Sequence, residues 1–135
     1  MCHSALSQLT VARYLSEEPW LDHVKALREL YWDRRAAMLS AMAAELPDGC
    51  RFTAPDGGFF IWLGLPPGTD AKRMISRAID AGVAYVPGTG FYADGSGRDH
   101  MRLSFSYPEP AEIAEGVRRL AGVIGREARG PVTHP

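Results

Sequence analysis

Lysine is nearly absent from this chain. Lys25 and Lys72 are its only two among fifteen basic residues, so any chemistry that needs a lysine amine has two candidates. Cysteine is as scarce. Cys2 and Cys50 form no CxxC pair, which argues against a disulfide framework or a zinc ribbon and for a reducing compartment. Long apolar runs are missing too: the longest, Phe59 to Leu63, is far too short to cross a bilayer. The N-terminus shows no basic segment followed by an apolar one, so no signal peptide is expected, and the expected compartment is the cytoplasm. There is no excess of charge. A net charge of −1 gives no reason to expect nucleic acid or an anionic membrane as a partner.

Familiar site motifs are also lacking. His3, His23, His100 and His134 pair with no other ligand at metal-binding spacing, and the adjacent Cys2 and His3 cannot build a site alone. There is no HExxH and no GxSxG. Asp94, Asp99, Glu109 and Glu112 cluster in sequence without the spacing of a calcium loop, and loop polarity and helix capping account for them. No catalytic, cofactor-binding or metal-ligating residue is therefore assigned to the chain.

What is present suffices for one globular domain: 135 residues, 46% of them hydrophobic and 23% charged. Helical spacing runs from about Ser4 to Leu15, through Leu6, Leu9, Val11, Tyr14 and Leu15. Ser16-Glu17-Glu18-Pro19 then stops one helix and starts another. The second helix continues to about Leu46, with Trp20, Val24, Leu27, Tyr31, Met38 and Met42 in step and a charged break at Asp33-Arg34-Arg35. It would be roughly 40 Å long. A helix of that length either spans two domains, packs on a partner, or lies along the surface of a small domain. Short strands follow at Arg51–Thr53 and at Phe59–Leu63, the latter apolar on both faces and so expected to be central and buried. Thr69 or Asp70 can cap a third helix whose stripe is Met74, Ile75, Ala78 and Ile79, with Gly82 as its stop. Val83–Val86 reads as a strand, Pro87-Gly88 as a turn, and Pro108 and Pro110 open a last helix with a stripe of Ile113, Val117, Leu120 and Ile124. Residues after Gly125 are expected to fray. The order α-α-β-β-α-β-β-α implies an α+β fold, a small antiparallel-rich mixed sheet with helices on one side.

The segment His100 to Ser106 alternates. Met101, Leu103 and Phe105 form an apolar face; His100, Arg102, Ser104 and Ser106 form a polar one. A guanidinium held on a strand presents a planar fork of donors that matches a carboxylate. On spacing alone, a strand arginine such as Arg102 is more often solvated or paired with a neighbouring acid than a ligand clamp, and the clamp is the minority reading. His100 shares its face, as a surface histidine or as part of the same cleft. Tyr85, Phe91 and Tyr92 flank the Pro87-Gly88 turn; core packing is the default reading and an aromatic cleft wall the other. Gly88-Thr89-Gly90-Phe91-Tyr92-Ala93 fits a loose dinucleotide pattern, but Asp94-Gly95-Ser96-Gly97 breaks the helix such a site requires, so a structural turn is expected.

Three segments together resemble a known family. Pro55-Asp56-Gly57-Gly58-Phe59-Phe60-Ile61-Trp62-Leu63, Gly82-Val83-Ala84-Tyr85-Val86-Pro87-Gly88-x-x-Phe91 and Met101-Arg102-Leu103-Ser104-Phe105-Ser106 are similar, in order and spacing, to segments of class I/II aminotransferases of fold type I. Ser4-x-x-x-Gln8 and the region from Arg28 to Met38 add to the likeness, which runs to about Ile124 and is nearest to the 2-aminoadipate and aromatic-type subgroup. The resemblance implies transfer of an amino group between an amino acid and a 2-oxo acid with pyridoxal phosphate. It implies that Arg102 binds the substrate α-carboxylate. It also implies an enzyme roughly three times as long, with the cofactor domain and its Schiff-base lysine elsewhere, since neither Lys25 nor Lys72 has the expected surroundings. Residues 1–46 would then be the end of a large domain and an interdomain helix, 47–125 a C-terminal small domain, and 126–135 a flexible tail. Its partners would be the substrate and either a second copy or the missing large domain. A chain that starts at Met also admits another reading: a non-catalytic, stand-alone module that binds carboxylates or a partner through the same fold.

Overall fold

The computed structural model describes residues 4–129; Cys2, His3 and His134 lie outside the described residues. The chain divides into two compact units, Met1–Trp32 and Asp33–Pro135.

The first unit is helical. It contains α1 (Ala5–Glu17) and the beginning of α2 (Trp20–Glu45). Pro19 lacks the N–H that would continue α1, and the chain turns there: the Glu18 N–H donates to the Tyr14 carbonyl at 3.0 Å, and the Trp20 indole N–H to the Leu15 carbonyl at 3.2 Å. The apolar residues that define α1 in the sequence are all exposed, Leu6 by 75% and Leu9 by 68%.

In the second unit, α2 is rich in alanine and free of glycine and proline, and it buries Arg34, Met38 and Met42 at four-residue spacing along one face. The predicted charged break is a tether instead. Arg34 donates to the Ser106 carbonyl at 2.8 Å and to the Glu109 carboxylate at 2.6 Å, which fixes the turn after the last strand.

The sheet comprises β1 (Arg51–Phe52), β2 (Phe60–Gly64), β3 (Val86–Pro87) and β4 (His100–Ser104), ordered β1-β2-β4-β3. Every pairing among the described residues is antiparallel, which corrects the expectation of a mixed sheet. The reason is topological: directions alternate across the sheet, because β2 lies between β1 and β4 and β4 lies between β2 and β3, so strands that share a direction are never neighbours. The predicted strand at Val83–Val86 also shrinks to Val86–Pro87. The Val83 N–H bonds to the Ala78 carbonyl (2.8 Å), and the Tyr85 side chain turns inward to donate its hydroxyl to the Ala71 carbonyl (2.6 Å), so this stretch is tied to α3 (Ala71–Asp80) rather than to the sheet.

Asp70 caps α3 by accepting the N–H groups of Lys72 (2.9 Å) and Arg73 (3.2 Å). The last helix, α4 (Pro110–Ala128), begins with the Glu109 N–H donating to Glu112 at 2.9 Å. It runs past Gly125, so Arg126 to Ala128, expected in a tail, are helical, and Glu127 pairs with Arg77. Ile61, Leu63, Met101, Leu103 and Phe105 form the core with Met74 and Ala78 of α3 and Ile113, Val117, Leu120 and Ile124 of α4. Helices α3 and α4 thus cover one face of the sheet. β2 is internal to the sheet, as expected, but only one of its faces is buried: Phe60 is exposed and Trp62 half-buried. No described helix is long and apolar enough to cross a membrane.

Candidate functional site

The uncovered face of the sheet carries the site. Strand alternation sends Met101 and Leu103 into the core and turns His100, Arg102 and Ser104 outward. In register, Arg102 lies opposite Trp62 on one side and Val86 on the other, and Ser104 lies opposite Phe60. The neighbours of Arg102 on this face are therefore aromatic. Its guanidinium carbon stands 4.0 Å from the centroid of the Phe60 ring and 4.9 Å from that of Phe91. Both contacts are in the range in which the negative ring face attracts a cation. No described carboxylate comes within ion-pair distance of Arg102.

A second layer of rings supports the first. Trp62 meets Phe91 edge-on, with centroids 5.3 Å apart and planes at 88°, and stacks on His100 at 5.7 Å. Tyr92 lies 6.2 Å from both Trp62 and His100. The His100 ring is held by its Nδ1–H, which donates to the Asp99 carboxylate at 2.7 Å. Trp62 and His100 also border a neighbouring groove of about 630 Å³ that reaches Arg51 and Thr53. At the other end of the face, the hydroxyls of Ser104 and Ser106 are 3.0 Å apart.

Phe91 arrives over Arg102 because of two glycines. Pro87-Gly88 leads into a single 3₁₀ turn, Gly88–Gly90, closed by the Phe91 N–H on the Gly88 carbonyl at 2.8 Å. This turn is pressed against β4. A Cβ on Gly88 would come within 2.4 Å of the Gly97 carbonyl oxygen and 2.8 Å of the His100 Cβ, so only glycine fits. Gly97 faces the turn with φ +77°, and a Cβ there would meet the Tyr92 ring at 2.4 Å. The glycine-rich segment is thus a close-packed strap across β4, as its interrupted pattern implied, and not the start of a long helix.

The structure accordingly brings together Arg102, His100, Phe91 and Tyr92. Tyr85 alone of the turn aromatics keeps the core role expected for it; Phe91 and Tyr92 form an exposed wall. Sequence reasoning missed Phe60 and Trp62 as parts of the site, having placed both in the core. A usable signal was there. In Phe60-Ile61-Trp62-Leu63 the aromatic and aliphatic residues alternate, and an aliphatic core needs only one of the two sets. The two lysines lie elsewhere: Lys25 is exposed on α2 and paired with Asp22 at 2.7 Å, and Lys72 is exposed in the first turn of α3.

Chemically, the arrangement offers a cation whose N–H donors are not taken up by an acid, flanked by rings and open to solvent on the remaining side. It suits a planar anion approaching the edge of the guanidinium.

Comparison with known proteins adds the following. The family described as Aminotransferase class I and II matches residues 1–120. The chain is 42% identical over 130 residues to an aromatic-amino-acid aminotransferase of Thermococcus litoralis, covering 96% of the chain and 31% of that protein. It is 37% identical over 128 residues to a 2-aminoadipate transaminase of Thermus thermophilus, covering 95% of the chain and 31% of that protein. Among solved structures, the kynurenine aminotransferase of Pyrococcus horikoshii, crystallised in complex with PMP, superposes with a TM-score of 0.81 at 45% identity, over 85% of this chain and 28% of that one. The chain thus spans roughly a third of the length of these relatives, at 31% of each of the two sequences.

Proposed function

The chain belongs to the class I and II aminotransferase family, and on that footing we propose that it is the small-domain portion of a pyridoxal-phosphate-dependent aminotransferase in which Arg102 takes the substrate α-carboxylate. The observation that carries this reading is the state of Arg102: on a rigid strand, between two rings, with no acid partner among the described residues. An amino acid and its 2-oxo acid differ at the α-carbon and share the carboxylate. One clamp therefore serves both half-reactions and fixes the orientation of the carbon where they differ. The 2-aminoadipate and aromatic-type subgroup is the one we favour, on the similarity to relatives of those two names.

The cofactor does not fit on this chain alone. Its anchor would be a lysine amine, and no lysine belongs to the strands or the 88–97 strap that build the Arg102 face. In this reading residues 1–46 are the end of a large domain and the connecting helix, and residues 47–125 are the small domain, whose last helix continues to Ala128. The exposed apolar residues of α1 fit burial against the rest of such an enzyme or a second copy. A non-catalytic carboxylate-binding module is the second reading. It rests on the Arg102 guanidinium lying against Phe60 and Phe91, a setting that can take a carboxylate without the cofactor lysine.

The test is equilibrium binding of pyruvate and L-alanine to the 135-residue chain, with pyruvamide as the neutral control. A single open clamp should bind with a dissociation constant on the order of 1–100 mM. The two acids should compete for one site, pyruvamide should not bind, and Arg102→Ala should remove both acids. Equal binding by wild type and Arg102→Ala would sink the reading.

A further inference from the structure

Resting on that reading, we propose that Phe60 and Phe91 are positioning residues for the carboxylate clamp: their rings orient the Arg102 guanidinium and keep it free of competing acids. Both rings are large and apolar, and both are substantially exposed, 43% for Phe60 and 47% for Phe91. Neither adds to the core, whose side of the sheet is filled by Ile61, Leu63, Met101 and Leu103. What they do contact is the cation, at 4.0 and 4.9 Å.

The choice of rings over an acid has a chemical consequence. A carboxylate beside Arg102 would also hold the guanidinium still, but it would occupy the N–H donors that a substrate carboxylate needs. A ring face attracts the cation through its quadrupole and accepts no strong hydrogen bond. The long arginine side chain loses rotamer freedom before the ligand arrives, which lowers the ordering cost of binding. The two rings are held by different means. Phe60 is fixed by its place on β2, in register with Ser104. Phe91 is fixed by the glycine strap and by the edge of Trp62 at 5.3 Å. Trp62, although it is the register partner of Arg102, acts here as the prop for Phe91.

The experiment is a set of single substitutions in the 135-residue chain, read by pyruvate titration of the Arg102 Nε–H resonance in nitrogen-15-labelled protein. Before any ligand is added, ring currents should displace this resonance from those of solvent-exposed arginines, and Phe60→Leu and Phe91→Leu should each move it back. Each substitution should raise the pyruvate dissociation constant roughly two- to fivefold, and Phe60→Tyr should restore it. In Arg102→Ala, followed by backbone resonances of β4, pyruvate binding should be lost. Loss of pyruvate binding in Arg102→Ala with none in Phe60→Leu or Phe91→Leu would overturn the inference and leave the clamp standing. No effect of Arg102→Ala at all would overturn both. Both positions are half-exposed, so their substitution leaves the core filled, and the ligand-free resonance position tests the geometry without depending on affinity.

Discussion

The two faces of the sheet come from the same strands and alternate residue by residue, yet they are built from different chemistry. The covered face is aliphatic: Ile61, Leu63, Met101 and Leu103 are buried to 5% exposure or less. The open face is aromatic and cationic, with Phe60, Trp62, His100 and Arg102 in contact with one another or with the strap that carries Phe91 and Tyr92. Adjacent positions in the chain therefore answer to separate demands. One set holds the fold; the other arranges a charge and leaves it available. A substitution on one face should alter stability with little effect on ligand contacts, and a substitution on the other should do the reverse.

The largest expected effect is on the covered face. Leu63→Ala should cost about 3 kcal/mol of stability, measured by denaturant unfolding, while the pyruvate affinity of the remaining folded protein stays near wild type. A large affinity loss in folded Leu63→Ala protein would break the division between faces. Gly88→Ala comes next, because it joins the two. The added Cβ collides with the Gly97 carbonyl and with His100, so the strap must lift from β4. A cost of about 1–3 kcal/mol follows, and Phe91 should lose its place over Arg102, visible as a shifted Arg102 Nε–H resonance. An unshifted resonance would separate the strap from the clamp. A smaller effect belongs to Tyr85, whose phenol burial pushes up to about 12, from an ordinary 10.0. The raised value means that the fold favours the neutral phenol. That contribution is complete below pH 10 and is lost as the pH rises toward 12. Melting temperature should fall across that window, and Tyr85→Phe should lessen the fall; an identical fall in the variant would remove Tyr85 as its source.

Much of this division was legible in the sequence, and what was not has physical causes. The alternation from His100 to Ser106 gave both faces of β4, because a strand with one face in water leaves a period of two. The helix starts at Pro19, Asp70 and Pro110 were visible because capping and proline geometry are local. The open face of β2 was hidden. Aromatic residues are apolar on any scale, so Phe60 and Trp62 read as core, and only the pairing with β4 shows that they share a face with a guanidinium. Arg34 was hidden for a related reason: its partners, Ser106 and Glu109, lie more than seventy residues away, with |i−j| of 72 and 75. The mixed sheet was expected because nothing local says that β4 lies between β2 and β3. The role of Arg102 came from the resemblance and not from spacing, since an arginine on a polar strand face has no distinguishing period.

The central claim is that the open face exists for a carboxylate and the fold does not need its cation. The most direct measurement is a paired one on Arg102→Ala: thermal or denaturant unfolding, and pyruvate titration. The account predicts stability within about 0.5 kcal/mol of wild type together with loss of pyruvate binding. A variant that unfolds readily, or one that still binds pyruvate as wild type does, would contradict it.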